Sequence, residues 1–167
     1  MNITQGRKTR YDIEIRDPDG NLIAQDTFYN LVVTEGLNHS IDTQFNGSAY
    51  TASWYVGITG GTPSFAAGDT MSSHAGWTEV TAYDETARQT LTLSSASSGS
   101  ADNSASKAVF TINANGTTVG GAFIVTDNTK GGTTGTLYGG GAFTQGNQTI
   151  GSGSTVTVTV TISATSS

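Results

Sequence analysis

The chain has 167 residues, enough for one domain with a single hydrophobic core. Its formal charge is −6 with only seven Lys and Arg, which argues against a nucleic-acid partner because phosphates are neutralised by clustered cations. It has no cysteine, so disulfides and thiolate metal sites are excluded. Charged residues make up only 12% of the chain, so a broad contact surface would have few charges to desolvate.

The first part of the chain is predicted to form a β-hairpin. Tyr11, Ile13 and Ile15 alternate with charged residues, which is the period of a half-buried strand. Residues 17–20 read Asp-Pro-Asp-Gly, a turn sequence whose proline presets φ and whose glycine accepts positive φ. Residues 22–28 supply the returning strand. A basic N-terminal arm over about residues 1–10 precedes the hairpin.

From Thr34 onward the apolar period becomes that of a helix. Three apolar residues recur at every fourth position, on one face of a short α-helix predicted for residues 34–45. They are Leu37, Ile41 and Phe45. Thr34 is the expected N-cap, and Asn46-Gly47 is a typical helix stop. A second helical turn is predicted within residues 66–74, with Asp69 as its cap.

The middle of the chain contains shorter strand signals. Strands are predicted for residues 53–58, 77–83 and 89–93, and the first of them is followed by a Gly60-Gly61 turn. Residues 94–104 hold little but small and polar side chains. This composition predicts an exposed loop.

The C-terminal part carries the clearest strand patterns. Residues 109–114 alternate in polarity and are followed by Asn115-Gly116, the strongest short hairpin signal, so residues 117–125 are predicted to pair back. Another strand begins at Thr136. Residues 155–162 alternate Thr with Val or Ile throughout, and a slip of one residue would expose every valine.

The tetrapeptide Gly-Gly-Ala-Phe occurs at residues 120–123 and again at 140–143, which predicts two equivalent strands. Together, these patterns predict about seven to ten short strands and one helix. The predicted fold is therefore all-β, an antiparallel β-sandwich of Ig-like or jelly-roll style, with residues 1–167 forming one domain. Strands and helices do not alternate along the chain, so a parallel α/β sheet is not expected.

The chain offers few residues of the kinds that catalyse reactions or bind metals. His39 lies on the predicted helix, and His74 is close in sequence to Asp69 and Glu79. The spacing of these last three residues matches no zinc pattern, and no nucleophile-elbow sequence is present. We favour a structural role in which Asp69 caps a turn and His74 fixes a loop through hydrogen bonds. We expect no catalytic residue, no metal and no cofactor.

Two features of the sequence bear on where the protein is made and whether it enters a membrane. The N-terminal residues lack the apolar run of a signal peptide, and no stretch approaches the roughly 20 apolar residues that span a bilayer. We therefore expect synthesis in a cytoplasm and no membrane partner.

Several segments resemble virion proteins of tailed bacteriophages, and the similarity covers most of the chain. These segments are residues 30–38, 54–58, 67–79, 120–123 and 130–135. The resemblance implies a small capsid-associated decoration (cement) protein, which binds the outside of the shell and bridges capsid subunits. The implied partners are the major capsid protein and further copies of this chain, as a homotrimer or homodimer. The implied location is the capsid exterior, after synthesis in the cytoplasm of a host bacterium. No catalytic residue is carried over.

Two sets of residues are candidates for the implied contacts. The first set consists of cations that could dock on an acidic shell, namely Arg7, Lys8, Arg10 and Arg16. The second set consists of Tyr55 and Tyr138, as candidates for contacts between subunits. Trp54 and Trp77 are expected in the core.

Two alternatives to a decoration protein stay open. The first is a tail or fibre component, including a receptor-binding module whose exposed aromatic rings stack on carbohydrate. The second is a hydrolase of cell-surface polymers with Asp69, His74 and Glu79 in its site.

Overall fold

The structure is a computed structural model that describes residues 6–49 and 53–165. In chain order, its elements are β1 (Gly6–Arg16), β2 (Leu22–Tyr29), β3 (Leu31–Val32), α1 (Thr34–Phe45), β4 (Tyr55–Gly60), β5 (Thr78–Glu79), β6 (Gln89–Thr90), β7 (Ser100–Asp102), β8 (Ala108–Thr111), β9 (Thr117–Val119), β10 (Gly121–Val125), β11 (Leu137–Ala142), β12 (Gln148–Ile150) and β13 (Thr155–Thr165).

Two antiparallel sheets enclose the main core, which confirms the predicted all-β sandwich with one short helix. The first sheet has five strands in the order β2-β1-β13-β7, and β8 also pairs with β13. The second has six strands in the order β3-β11-β10-β4-β5, and β6 also pairs with β4. A two-stranded ribbon joins β9 to β12.

The longest pairing joins β1 to β13 along the whole length of both strands. Ile13 lies opposite Val158, and Ile15 lies opposite Val156. All four side chains are at most 2% exposed, so these cross-strand pairs form the centre of the core. The register predicted from the alternating Thr and Val residues is confirmed.

The β1–β2 hairpin also forms as predicted. The Asp17 carboxylate accepts hydrogen bonds from the side-chain amide and the backbone N–H of Asn21, at 3.0 and 2.8 Å. These bonds lower the pKa of Asp17 below its ordinary value because they favour the charged carboxylate. The Asp17 side chain therefore stabilises the turn that joins β1 to β2.

The predicted basic arm is, from Gly6 onward, part of the first sheet. β1 begins at Gly6, which lies opposite Thr165 at the end of β13. Farther along the same pairing, Arg10 lies opposite Thr161. Residues 1–5 of the predicted arm lie outside the described residues.

The second sheet is buried on both faces. Ala122 and Ile124 of β10 face the main core between the two sheets. Phe123 and Val125, which point the other way, belong to a second apolar cluster that includes Trp77. This second cluster covers the outer face of the sheet, so β10 carries apolar residues without alternation.

The repeated Gly-Gly-Ala-Phe segments lie in β10 and β11, which pair with each other. Gly121 lies opposite Ala142, and Phe123 lies opposite Gly140. A Cβ at Gly140 would collide with the ring of Phe65. The repeat therefore reflects close packing on a shared sheet. The two segments are not equivalent, because Phe123 packs in the second cluster whereas Phe143 packs in the main core.

The hairpin predicted at Asn115-Gly116 is wrong. Gly116 makes the turn with φ +75°, but β8 pairs with β13 while β9 pairs with β12. The predicted strand 117–125 is interrupted at Gly120, where a Cβ would collide with the carbonyl of Gly61. The turn signal is local, whereas the partner of β8 is set by burial of Phe110 in the main core.

Three other segments differ from their predictions. Residues 66–74 form tight turns in place of a helical turn, and the Asp69 carboxylate accepts a hydrogen bond from the Ala66 N–H at 3.0 Å. The strands predicted at 77–83 and 89–93 shrink to β5 and β6, because each pairs with only two residues of β4. The predicted loop 94–104 contains β7, which adds to the edge of β13.

Candidate interaction surface and end cavity

Helix α1 has the bounds that the sequence predicts, but it docks by a different face. Its N-cap is Val33, not Thr34, and no side chain caps it. The buried residue of the helix is Gly36, where a Cβ would collide with the backbone of Tyr138 in β11. The Glu35 carboxylate accepts a hydrogen bond from the Leu137 N–H at 2.9 Å. The helix therefore packs on β11 at Gly36, where the absence of a Cβ lets the two backbones approach closely.

The predicted apolar face of α1 points away from the core. Leu37 is 46% exposed, Ile41 53% and Phe45 79%. We call these three residues the α1 stripe. Single apolar residues on a surface are ordinary, but an aligned row on one helix is a candidate interaction surface. The spacing of these residues predicted one face of the helix, and the structure places that face in solvent. The signal for their exposure was Gly36, since a glycine inside a helix allows close approach to another backbone.

An open cavity of about 670 Å³ lies at the end of the sandwich, beside α1. We call it the end cavity. Its apolar lining consists of Trp54, Leu91, Leu93, Ile124, Tyr138 and Ile162. Arg7, His39 and Gln44 contribute polar groups to the same lining. The His39 ring packs edge-on against Trp54 with centroids 5.4 Å apart, and Trp54 packs edge-on against Tyr138 at 5.8 Å. Sequence analysis did not predict this cavity, because its lining comes from distant parts of the chain.

Two buried tyrosine hydroxyls in this region have no hydrogen-bond partner among the described residues. They belong to Tyr11, which is fully buried, and to Tyr138, which is 6% exposed. Burial raises the pKa of the Tyr11 phenol above its ordinary value, and the nearby Tyr138 phenol raises it further. An unsatisfied buried hydroxyl is costly, so these two tyrosines differ from the wholly apolar cross-strand pairs at the centre of the core.

The predicted docking cations do not form one basic patch. On the outer face of β1, Arg10 pairs with Asp12 at 2.7 Å and Arg16 pairs with Glu14 at 3.3 Å. These are exposed ion pairs, and such pairs contribute little to stability. The outer face of β1 therefore presents both signs of charge.

Lys8 and Arg7 lie on opposite faces of β1 because side chains alternate along a strand. The Lys8 ammonium lies 3.7 Å from the centroid of the Tyr29 ring. Arg7 lines the end cavity and donates a hydrogen bond to Gln44 Oε1 at 2.7 Å. Within the part of the chain that the structure describes, no carboxylate pairs with Arg7.

The aromatic candidates occupy different places. Tyr55 is half-buried against the second cluster, and Tyr138 leaves almost no surface for a second subunit. Trp77 is 4% exposed, as expected of a core residue. Trp54 is only half-buried and packs at the border of the main core.

Asp69, His74 and Glu79 take on separate structural tasks. Asp69 accepts a hydrogen bond from Trp77 Nε1 at 3.0 Å, and the His74 ring stacks on Trp77 with centroids 3.8 Å apart. Glu79 instead binds the buried Arg88 side chain through both carboxylate oxygens, at 2.9 and 2.7 Å. No group of three His, Cys, Asp or Glu residues that could hold a metal ion exists within residues 6–49 and 53–165. The turn-capping role of Asp69 and the loop-fixing role of His74 agree with these contacts.

Comparison with models of known protein families and with curated protein sequences found no match to this chain. Among the residues that the structure describes, no helix combines the length and apolar character needed to cross a membrane.

Proposed function

We propose that this chain is a structural virion protein that binds the outer surface of a tailed-phage capsid. In this role it bridges capsid subunits and stabilises the shell, and it associates with a second copy of itself through the α1 stripe. The virion assignment is supported by the sequence resemblance. Self-association is supported by the exposure of the α1 stripe, and this is the observation that carries the proposal. No catalytic step is assigned to the chain.

The α1 stripe has the composition of a protein contact. Leu37, Ile41 and Phe45 together expose a continuous apolar row. Fully burying one such side chain contributes roughly 1.5–3 kcal/mol. Because the three side chains are only partly exposed, covering them favours association by a few kcal/mol per copy, about what full burial of one or two such side chains contributes.

The spacing of the stripe suits a twofold contact between two copies. Ile41 lies midway between Leu37 and Phe45 along the helix. If two α1 helices cross in opposite directions about a twofold axis, Ile41 meets its own copy and Leu37 meets Phe45 of the other copy. One surface patch is then complementary to itself, as a closed homodimer requires.

The remaining surface suits repeated, modest contacts with a shell. The outer face of β1 carries Lys8 over the Tyr29 ring, and it carries Arg10 and Arg16 beside their acidic partners. This face is our candidate for the one that meets the major capsid protein. Charge pairs of this kind set register more than affinity. A dimer that contacts two capsid subunits at once gains strength through multivalency.

Imaging of purified particles tests the proposal. Particles from wild-type phage and from phage lacking this chain are compared by electron cryomicroscopy and by heating in low salt. We expect extra density on the shell exterior of wild-type particles only, and we expect the shells without the chain to rupture at lower temperature. Density at the tail, or equal shell stability, would overturn the proposal in favour of a tail or fibre component.

A further inference from the structure

We propose that the end cavity is a binding site for a small ligand with an apolar body and one anionic group. This inference goes beyond the proposed capsid role and does not depend on it. The cavity volume of about 670 Å³ lies within the range of small-molecule sites, roughly 300–1,000 Å³.

The apolar body of the ligand is specified by the walls of the cavity. Leu91, Leu93 and Ile162 supply aliphatic surface, and Trp54 supplies an aromatic face that is only half-buried. Such walls bind alkyl or aromatic groups by excluding water from both surfaces.

The anionic group is specified by Arg7. Among the described residues that line the cavity, it is the only Lys, Arg, Asp or Glu. Its guanidinium donates one hydrogen bond to Gln44 and keeps further donors for an anion. Arg10 and Arg16 on the same strand have acidic partners. Arg7 thus combines two properties: it lines the end cavity, and it has no carboxylate partner in the described chain.

Aromatic rings fix one side of the end cavity. The His39 ring packs edge-on against Trp54, and Trp54 packs edge-on against Tyr138. Tyr138 lines the cavity, but its hydroxyl is buried and has no hydrogen-bond partner among the described residues. Tyr138 therefore contributes its ring to the apolar wall, because its buried hydroxyl is out of reach of a molecule in the cavity.

Calorimetric titration of the full folded chain tests the inference, with decanoate as the anionic probe and decanol as the neutral probe. We expect saturable binding of decanoate. The Arg7→Gln variant should weaken decanoate binding at least tenfold and should change decanol binding less than twofold. The Arg10→Gln variant is the matched control, and it should change neither. Absence of decanoate binding, or equal effects of the two arginine variants, would overturn the inference.

A second pair of variants tests whether binding occurs inside the cavity. Leu93→Trp fills the cavity, whereas Val109→Trp adds the same ring at a position with the same 37% exposure outside the lining. We expect loss of decanoate binding for the first variant only. Binding that survives Leu93→Trp in a folded protein contradicts the proposed location. If Leu93→Trp does not fold, the arginine pair still decides.

Discussion

Strand β13 and helix α1 both carry regular apolar patterns, yet the structure uses them in opposite ways. Val156, Val158 and Val160 of β13 are fully buried between the sheets. Ile41 and Phe45 of α1 are more than half exposed. A regular pattern therefore predicts the type of element in both cases, but it predicts the buried face only where the strand pairing leaves no alternative.

The difference follows from what each element packs against. β13 pairs with β1 along its whole length, so one face must meet the core and only the Val face can do so without burying hydroxyls. α1 meets the backbone of β11 at Tyr138, where only Gly36 allows the approach. Close contact through glycine excludes the bulky face of the helix from the interior and leaves it exposed.

The largest expected effect comes from a charge in the valine face. We predict that Val158→Asp destabilises the chain by more than about 4 kcal/mol, because a fully buried carboxylate has no partner there. Urea unfolding followed by circular dichroism measures this effect. Thr157→Lys places a charge on the other face of β13, where residue 157 is the cross-strand partner of Glu14. This variant should change stability by less than about 0.5 kcal/mol. Equal effects would mean that the assigned register of β13 is wrong.

The contact of α1 with β11 is tested by Gly36→Ala. Alanine favours a helix over glycine by about 1 kcal/mol, so helix propensity alone predicts greater stability. We predict the opposite, a loss of about 1–3 kcal/mol, because the added Cβ collides with the Tyr138 backbone. Asn38→Ala on the exposed side of the same helix should be neutral or slightly stabilising. Urea midpoints of the two variants compare these outcomes, and a stabilised Gly36→Ala protein would contradict the docking geometry.

Beside the end cavity, unlike in the valine face, removing a polar group should stabilise the protein. We predict that Tyr138→Phe raises stability by about 1 kcal/mol, because it removes a buried hydroxyl that has no partner in the described chain. Thermal unfolding of the unliganded variant measures the change. A loss of stability would show that this hydroxyl makes a favourable interaction.

The smallest effect on folding is expected in the α1 stripe. We predict that Ile41→Ser changes the free energy of unfolding of one chain by less than about 0.5 kcal/mol, because this side chain is 53% exposed. If two copies associate through the α1 stripe as proposed, the same variant should be monomeric in light-scattering measurements in which the unchanged chain is dimeric. Ile23→Ser on β2, where the side chain is 48% exposed, is the matched control and should leave the dimer intact.

The fold could be predicted from the sequence where the deciding contacts are local or forced by pairing. The β1–β2 hairpin, the bounds of α1 and the alternation of β13 belong to this group. The partner of β8 could not be predicted from Asn115-Gly116, because β8 joins the first sheet and buries Phe110 in the main core, which outweighs the local turn signal. The end cavity is formed by residues from Arg7 to Ile162, and single-sequence patterns do not report such distant neighbours.

The residues of the proposed contact surface show the same division. The spacing of Leu37, Ile41 and Phe45 marked them as one face, and the structure keeps them together. Whether that face is inside or outside depends on Gly36 and β11, which lie far apart in the chain. The basic residues of β1 looked like a cluster in sequence, but strand alternation separates Arg7 from the others.

Disulfide formation between two introduced thiols tests the central claim most directly. The chain has no cysteine, so Ile41→Cys creates its only thiol, at the proposed twofold axis. Helices packed in this way bring such positions within the range that a disulfide bridges. We expect Ile41→Cys to form a covalent dimer rapidly under mild oxidation, while the Ile23→Cys control forms it slowly. Equal slow rates for the two variants would contradict a contact between copies through α1.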